Sequence, residues 1–280
     1  MLRMVMFGKP GAGKGTLTER LVKKFDIVSI STGDLLRQHI AQKTEIGRQA
    51  KEIVARGDLL PDELMLQIAT SKLDYLHDKH WILDGFPRTI RQGDLLDTHL
   101  RSARMPLTLL VTLTVPEPIL HARIAGRFVH PGSGRVYNTH FNPPRIAGHD
   151  DLTGEPLTQR PDDRPEVYSR RLAAYERATA PLLGYYTRRV EEERASRRGG
   201  VGGGLKIVSL AGETSDEMWP ILENSVRETF PTVQPRIPVD SKLPKKSRDA
   251  VATLSAAAAT KKTAREAVEE AVDGPTGKSG

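Results

Sequence analysis

The sequence predicts an α/β fold in which a parallel sheet of five strands is flanked by helices. Two observations lead to this prediction. Short apolar segments alternate along the chain with longer segments whose apolar residues recur at helical spacing. A glycine-rich loop, GKPGAGKGT at residues 8–16, joins the first apolar segment to the first helical one. Repeated strand–helix units build a parallel sheet, because each helix carries the chain back to the edge where the next strand begins.

The first part of the chain supplies three of the strands. MLRMVMF is predicted to be a short buried strand, and TLTERLVKKF after the glycine-rich loop is predicted to be a helix. IVSIS is a second strand, and the helix of TGDLLRQHIAQ follows it with Thr32 and Asp34 as cap-type residues. EIGRQAKEIVARG and DELMLQIATSKLDYL predict two more helices, the first ended by Gly57. HWILDGFP is an apolar strand that ends at Asp84.

The remainder supplies the other two strands and a small insert. PLTLLVTLTV is rich in Leu, Val and Thr and predicts a strand, and PEPILHARIAGRF predicts a helix with Pro near its start. Residues 128–160 are rich in Gly, Pro, Asn and Asp, which predicts turns and short strands. Helices resume over PEVYSRRLAAYERATAPLLGYYTRRVEEERA, and LKIVSL and DEMWPILENSVRETF predict the last strand and helix.

Two segments have compositions unlike a core. RRGGVGGG at residues 197–204 predicts a flexible loop. From Pro231 onward Pro, Lys, Ser and Ala dominate, which predicts a disordered tail in which SAAAATKKTAREAVEEAV could form a transient helix.

Composition excludes several classes of function. The 280 residues contain no cysteine, which excludes disulfides, thiolate catalysis and cysteine metal sites. No apolar run is long enough to predict a membrane-spanning helix. The net charge of +7 fits either solubility or an anionic partner, such as a nucleotide, a nucleic acid or an acidic lipid. Nucleic acid is not expected as a partner, because basic residues are interspersed with acidic ones and aromatic residues make up only 5%.

The glycine-rich loop differs from the Walker A pattern G-x-x-x-x-G-K-[ST] at one position. Gly8, Gly13 and Lys14 match the pattern, but Gly15 takes the hydroxyl position and Thr16 follows it. Backbone amides of such a loop converge on phosphate oxygens, and the helix behind it adds its positive end. The loop therefore predicts a P-loop, nucleoside triphosphate-binding type of α/β fold in which Lys14 reaches the transferred phosphate.

The displaced hydroxyl also affects the expected metal site. In most P-loop enzymes that hydroxyl binds Mg²⁺ directly. Here Mg²⁺ is expected to be held mainly by phosphates and waters, and Asp84 at the end of a strand could accept from one of those waters. The alternative is that Asp84 only caps a turn or a helix.

Four motifs occur in order along the chain: GKPGAGKGT, STGDLLR at residues 31–37, LDGFPRT at 83–89 and SGRVYN…FNPP…DDLTGEPLTQRPDD at 133–163. Together they resemble the adenylate kinase family of nucleoside monophosphate kinases. The resemblance implies reversible transfer of a γ-phosphoryl group from a nucleoside triphosphate to AMP, within one kinase domain. That domain would span residues 1–230, with a core of residues 1–30, 61–125 and 164–230. It would carry a helical AMP-binding insert at 31–60, a β-rich lid at 126–163 and a flexible insertion loop at 190–204. The disordered tail of residues 231–280 would follow it.

The same resemblance implies roles for individual residues. No acid or base is required, because positioning and cationic groups stabilise a phosphoryl transfer. The catalytic cations would be Lys14, Arg88, Arg123, Arg127, Arg160 and Arg171. The triphosphate would be bound by Gly11, Ala12, Gly13, Lys14, Gly15, Thr16, Arg127, Val136, Tyr137 and Thr214. AMP would be bound by Thr32, Arg37, Asp58, Leu59, Leu60, Gly85, Phe86, Pro87, Arg88, Gln92, Arg160 and Arg171.

Two of these assignments have plain structural alternatives. Gln92 could pair with the edge of adenine through its amide, or it could be an exposed helix residue. Tyr137 could lie over the base of the triphosphate, or it could belong to the core of the lid.

Some lids in this family carry a structural zinc bound by cysteines, which this chain lacks. His130, Ser133, Asp150 and Thr153 occupy the corresponding positions. They suit a hydrogen-bond network that cross-links the lid without metal, so no zinc is expected.

The lid sequence, WILDGFPRT and the late GETSDEMWP look most like the mitochondrial GTP:AMP phosphotransferase branch of the family. That branch implies GTP or ITP as donor, GDP and ADP as products, Mg²⁺ with the nucleotide, a monomer, and the mitochondrial matrix. The base of the donor would be read by backbone near residues 211–214. The N-terminus shows no cleavable presequence, which leaves the cytoplasm as the alternative location. An ordinary ATP:AMP phosphotransferase and a catalytically inactive nucleotide-binding protein remain the alternative functions.

Overall fold

The computed structural model describes residues 1–196 and 204–236. Five of its strands are β1 (Arg3–Gly8), β2 (Val28–Ser31), β3 (Trp81–Asp84), β4 (Leu109–Thr114) and, after two short lid strands, β7 (Lys206–Ala211). They form one parallel sheet in the order β2–β3–β1–β4–β7. The predicted α/β class with five parallel strands is confirmed.

Strand register brings the chemistry-bearing loops to one edge of the sheet. Met6 of β1 is paired with Asp84 of β3, and Gly8 is paired with Leu113 of β4. The carboxyl ends of parallel strands lie together, so the glycine-rich loop after β1 and the turn after Asp84 leave the sheet side by side.

Both faces of the sheet are covered by helices, which are α1 (Lys14–Lys24), α2 (Thr32–Ala41), α3 (Glu45–Arg56), α4 (Asp62–Leu73), α5 (Ile90–Ser102), α6 (Glu117–Ala125), α7 (Pro165–Ala174), α8 (Ala180–Ser196) and α9 (Ser215–Thr229). Side chains of β1 alternate between the two cores. Met4 and Met6 pack with Leu17 of α1 on one face, while Val5 and Phe7 pack into the other. A parallel sheet buried on both faces needs this continuous apolar sequence.

The lid contains the two remaining strands. β5 (Arg127–Val129) and β6 (Val136–Asn138) form an antiparallel pair within the region predicted to be rich in turns and short strands. Within residues 1–196 and 204–236, no helix is both long and apolar enough to span a membrane.

The first part of the predicted flexible loop at 190–204 is helical instead. Helix α8 continues through Ser196, because Val190 packs into the protein and the charged residues after it suit an exposed helix. Residues 197–203 lie outside the described part of the chain. The preceding helical run is also interrupted, since a π-helical turn at Tyr175–Thr179 separates α7 from α8.

Residues 231–236, which were predicted to begin a disordered tail, are folded. The amide of Asp26 donates to the carbonyl of Gln234 at 2.9 Å, and the amide of Arg236 donates to the carbonyl of Lys24 at 2.9 Å. Val233 is buried against the core. Residues 231–236 therefore belong to the folded body, and the predicted tail and transient helix beyond them lie outside the described residues.

Candidate active site

The glycine-rich loop turns sharply at residues that only glycine readily supplies. Gly11 and Gly13 have φ values of 88° and 97°, in the left-handed region. A Cβ on Gly13 would lie 3.0 Å from Ser215 Oγ and 3.3 Å from Arg123 Nη1. Gly13 also precedes α1 without a side-chain cap, so the first amides of that helix are left for an anion.

Lys14 lies at the centre of this loop. Its Nζ donates to the carbonyl of Gly8 at 2.7 Å and to that of Lys9 at 3.3 Å. Burial lowers the pKa of Lys14 to about 8; Arg88 acts in the same direction, and Asp84 acts against it. Gly15 and Thr16, which follow it, are exposed on the first turn of α1.

Asp84 ends β3 beside Lys14. Its Oδ1 is buried and accepts no hydrogen bond from the residues that the structure describes. Burial raises the pKa of this carboxyl, although Lys14 and Arg88 oppose the shift. A buried carboxylate oxygen without a partner fits a water of a bound Mg²⁺, so the residues present suit the predicted metal site. Asp84 does not cap a helix, because the helix that follows β3 begins at Ile90 with Thr89 as its N-cap.

A cavity of about 150 Å³ opens beside the loop. Lys14 and Gly8 of the loop contribute to its wall. Most of the residues predicted to bind AMP line it as well, namely Arg37, Asp58, Leu59, Leu60, Gly85, Pro87, Arg88, Gln92 and Arg171. The remaining members of that set are Thr32, Phe86 and Arg160, which do not line the cavity. Thr32 is buried, and its hydroxyl donates to the Asp84 carbonyl at 3.2 Å.

The π-helical turn forms a wall of this cavity that the sequence did not predict. Ala174, Tyr175 and Thr179 line the cavity, and the Thr179 hydroxyl donates to the Arg88 carbonyl at 2.8 Å. The Arg88 Nε donates to the Gly85 carbonyl at 2.7 Å. The only available signal was that these residues follow Arg171 by one or two helical turns.

Gln92 is buried rather than exposed. Its Oε1 accepts from the backbone amide of Arg88 at 2.7 Å, and its Nε2 donates to Asp62 Oδ1 at 2.9 Å. Only 1% of the residue is exposed. The exposed-helix alternative is therefore wrong, and Asp62 is a contact that the sequence motifs did not reveal.

Several predicted arginines are paired with carboxylates in this structure. Arg127 binds Asp163 through two of its nitrogens, with Nε 2.8 Å from Oδ2. Arg171 Nη1 lies 2.8 Å from Asp162 Oδ2 and donates to the Asp162 carbonyl at 3.0 Å. A phosphate entering the site would compete with Asp162 and Asp163 for these guanidinium groups.

Arg37 and Arg160 add to the same positive field. Arg37 pairs with Asp34 on α2. Burial lowers the pKa of Arg160 to about 10, and the charges of Arg37 and Arg127 contribute to the shift. Cations that repel one another in this way are stabilised by an anionic ligand.

Arg123 lies on the other side of the glycine-rich loop. It donates to the carbonyl of Gly11 at 3.1 Å and to that of Glu213 at 2.7 Å. Its Cζ lies 5.2 Å from the ring centre of Phe141 in the lid. Arg123 thus joins the loop to the segment before α9, away from the cavity that Arg88 and Arg171 line.

Thr214 is the N-cap of α9. Its hydroxyl accepts from the Glu217 amide at 3.2 Å and donates to Glu217 Oε1 at 2.9 Å. The side chain is therefore occupied by a capping box. The backbone of Glu213 is also paired, because its amide donates to Glu217 Oε2 at 2.9 Å and its carbonyl accepts from Arg123.

The four predicted lid residues come together in one network. Asp150 accepts from the Thr153 hydroxyl at 3.0 Å. His130 Nδ1 accepts from the Ser133 amide at 3.2 Å, so its proton lies on Nε2, which donates to Glu155 Oε2 at 2.5 Å. These contacts link both ends of the lid.

Arg135 and Tyr137 also belong to this network. Arg135 Nε donates to Asp150 Oδ1 at 2.7 Å, and the hydroxyl of Tyr137 donates to the same oxygen at 3.0 Å. Tyr137 is buried, which favours its reading as lid core, whereas Val136 is exposed. Arg135 and Glu155 were not predicted. Within residues 1–196 and 204–236, no cluster of three or more His, Asp or Glu side chains is placed to hold a metal ion.

Comparison with known proteins agrees with this architecture. The family model for adenylate kinase matches residues 6–191. A mitochondrial GTP:AMP phosphotransferase from Saccharomyces cerevisiae is 43% identical over 234 residues, which cover 82% of this chain and 94% of that protein. A protein of the same name from Drosophila melanogaster is 38% identical over 223 residues, covering 80% and 94%. An adenylate kinase from Aspergillus oryzae is 46% identical over 187 residues, covering 66% and 72%. The chain therefore belongs to the adenylate kinase family.

Proposed function

We propose that this protein transfers the γ-phosphoryl group of GTP, or of ITP, reversibly to AMP, giving GDP and ADP and balancing the purine nucleotide pools. The observation that carries the proposal is that Lys14 of the P-loop and Arg88, Arg171 and Gln92 of the predicted acceptor site line one cavity. A donor phosphate on the loop and an acceptor phosphate in the cavity would then be neighbours. The names of the yeast and fly relatives support GTP as the donor.

Catalysis would follow from positioning and charge. The amides at the start of α1 and the Lys14 ammonium would hold the donor phosphates, while Arg88 and Arg171 would hold the acceptor phosphate and the group in transfer. A phosphoryl transfer spreads charge over the equatorial oxygens, so convergent cations lower its barrier without an acid or a base. Replacement of Asp162 and Asp163 by phosphate would release the guanidinium groups for this task.

The acceptor end of the cavity would hold AMP through groups of different chemistry. The backbone of residues 58–60 and the side chains of Leu59 and Leu60 would enclose the adenosine moiety, and Gly85 allows the chain to approach it closely. The Gln92 amide would meet the edge of adenine, while Arg37 would bind the phosphate.

Asp84 would support the metal that accompanies the triphosphate. When bound, Mg²⁺ would supply positive charge that stabilises the negative charge developing on the phosphate oxygens. The unpartnered carboxylate oxygen of Asp84 is the acceptor available for a coordinated water. The displaced hydroxyl of Thr16 is exposed on the first turn of α1, which fits a site where water and phosphate supply the ligands.

The test is a coupled assay on the purified protein with AMP as acceptor and GTP, ITP or ATP as donor. We expect transfer with all three and the highest kcat/KM with GTP. If none of the three donors supported transfer to AMP, the proposal would be overturned. A higher kcat/KM with ATP would instead support an ordinary ATP:AMP phosphotransferase, which the Aspergillus oryzae relative named adenylate kinase favours.

A catalytically inactive nucleotide-binding protein is a weaker alternative, because each predicted catalytic cation is present. For location and assembly, we propose a monomer in the mitochondrial matrix. The names of the relatives support the organelle. Cell fractionation and sedimentation of the purified protein test these two statements, with cytoplasmic recovery or a stable dimer as the contrary results.

A further inference from the structure

The carboxylate of Asp62 lies just behind the wall of the acceptor cavity, in contact with Gln92. Asp62 is the first residue of α4 and directly follows residues 58–61, most of which line the cavity. Its Oδ1 accepts from Gln92 Nε2 at 2.9 Å and from the Thr89 hydroxyl at 3.2 Å. Four-fifths of its side chain is buried.

These contacts determine which way the Gln92 amide points. A carboxylate only accepts hydrogen bonds, so the Gln92 group that faces Asp62 must be the NH₂. The backbone amide of Arg88 only donates, so the group that faces it, at 2.7 Å, must be the Gln92 carbonyl oxygen. Rotation of the amide by half a turn would set two acceptors against each other at Asp62 and two donors at Arg88.

The fixed amide has one donor and one acceptor lone pair left for a ligand. Adenine presents a ring nitrogen acceptor beside an amine donor on its pairing edge, whereas hypoxanthine and guanine present a ring N–H donor beside a carbonyl acceptor. For a purine held in one orientation, the two amide orientations therefore suit opposite bases. A buried site built for one pattern rejects the other because its polar groups are left unpaired.

We propose that Asp62 is a positioning residue that sets the base specificity of the acceptor site through Gln92. This inference rests on the proposed function, in which AMP occupies the cavity. Asp62 itself does not line the cavity, so its effect passes through the Gln92 amide. The expected consequence is that the acceptor site prefers adenine to a purine that carries a carbonyl group in place of the adenine amine.

The test compares Asp62→Asn, Asp62→Glu and the control Glu63→Gln, with AMP and IMP as acceptors. Asn keeps the shape of Asp62 but can either accept from Gln92 or donate to a rotated Gln92 carbonyl, so it removes the part of the constraint that Asp62 supplies and leaves only that of the Arg88 amide. Glu remains an acceptor only and preserves it. Glu63 is the neighbouring carboxylate on the same turn of α4; its side chain is 65% exposed and it pairs with Arg91 at 2.5 Å. Glu63→Gln therefore removes one charge at the same helix terminus without touching Gln92.

We expect Asp62→Asn to reduce the ratio of kcat/KM for AMP to that for IMP by roughly tenfold, as expected for loss of a hydrogen bond to a charged group. The change should arise from KM for the acceptor, while KM for the donor stays within about twofold. Asp62→Glu should keep the ratio even if its KM rises, and Glu63→Gln should leave all constants unchanged. Calorimetric titration of AMP and IMP measures the same ratio without turnover.

An unchanged AMP to IMP ratio in folded Asp62→Asn would overturn the inference, as would equal changes in Asp62→Asn and Glu63→Gln. Thermal unfolding of each variant establishes that it is folded, and Asp62→Ser serves as a second neutral substitution if Asp62→Asn is not. A wild-type protein that does not transfer phosphate to AMP would overturn the proposed function and this inference together. A wild-type protein that prefers ATP would overturn only the donor assignment, and the same variants would then be assayed with ATP.

Discussion

At the scale of single residues, Lys14 combines a required positive charge with a site that disfavours it. Its ammonium is held by carbonyl oxygens of the loop, and burial lowers its pKa to about 8. A bound triphosphate would restore the charged form, since an anion close to an ammonium favours protonation. Affinity for the donor therefore depends on the protonation of the free protein.

We predict that the dissociation constant for GTP increases as the pH rises above about 8, where free Lys14 loses its proton. Lys14→Met should weaken binding at pH 7 and lower turnover by roughly a hundredfold or more, the scale of removing a transition-state donor. In this variant the increase above pH 8 should be smaller than in the wild type. Fluorescence titration with a labelled GTP across this range measures the dissociation constants of both proteins, and the coupled assay measures their turnover. Identical pH profiles for the two proteins would contradict the role of Lys14.

Asp84 is a residue whose charge costs stability while its carboxylate serves activity. Burial raises its pKa, so the unfolded chain releases this proton more readily than the folded protein, and ionisation of Asp84 costs stability at neutral pH. Asp84→Asn should therefore melt at the same temperature as the wild type or higher, while turnover at limiting Mg²⁺ falls at least roughly tenfold. Calorimetry and a Mg²⁺ titration of the rate provide the measurements. A variant with full activity at low Mg²⁺ would show that Asp84 has no part in the metal site.

At the scale of elements, local patterns predicted most helices and strands because local forces determine them. Gly57 ends α3 in the left-handed conformation, as its position after a periodic helix predicts. The start of α2 was displaced by one residue. Ser31, not Thr32, is the cap and accepts from the Asp34 amide, which frees Thr32 to reach the Asp84 carbonyl.

Other features of the elements were beyond a local pattern. The π-helical turn at Tyr175–Thr179 adds about one residue to a helical repeat, too little to disturb the apolar periodicity. Its place in the cavity wall depends on tertiary packing, since Thr179 meets the Arg88 carbonyl across a separation of 91 residues. The sequence motifs identified the residues on one side of the cavity, whereas those on the other side could be identified only from the fold.

The lid is cross-linked around Asp150, which accepts from Arg135, Tyr137 and the backbone amide of Thr153. Arg135 holds the pKa of this carboxyl well below its usual range. We predict that Asp150→Asn speeds amide hydrogen exchange across residues 126–163, because several donors lose a charged acceptor. The exposed Asp151, which accepts from the Arg145 amide at 2.7 Å, provides the control variant Asp151→Asn. Equal exchange in the two variants would show that Asp150 does not organise the lid.

At the scale of the whole molecule, the C-terminal end of the described chain closes the core beside α1 and β2. A protein ending after Arg236 keeps the docked segment, whereas one ending after Phe230 loses the burial of Val233 and two backbone hydrogen bonds to residues 24–26. We predict that the longer protein retains the stability and turnover of the full chain. The shorter one should lose about 1–3 kcal/mol of unfolding free energy, the scale of burying one valine. Urea denaturation compares them, and equal midpoints would show that residues 231–236 contribute nothing.

His80 connects both ends of this body. Its Nδ1 accepts from the Leu2 amide at 2.9 Å, so the proton lies on Nε2, which donates to the Thr232 carbonyl at 3.2 Å. Burial lowers the pKa of His80 from its ordinary value of 6.5; the N-terminal amine and Arg3 act in the same direction, whereas the Thr232 hydrogen bond and Asp26 oppose the shift. Protonation would add a second donor on the ring, facing the Leu2 amide, and would leave that amide without an acceptor.

The direction of the pH effect follows from this lowered pKa. Below 6.5 the unfolded chain binds the proton at His80 more readily than the folded protein, so the free energy of unfolding decreases as the pH falls from about 6.5 towards the folded pKa. We predict that His80→Gln, which does not titrate, loses less stability than the wild type between pH 7.5 and pH 5.5. The exposed His77 supplies the matched variant His77→Gln, which should follow the wild type. Denaturation at a series of pH values measures the three proteins, and parallel curves for all of them would show that His80 does not link proton binding to its contacts with Leu2 and Thr232.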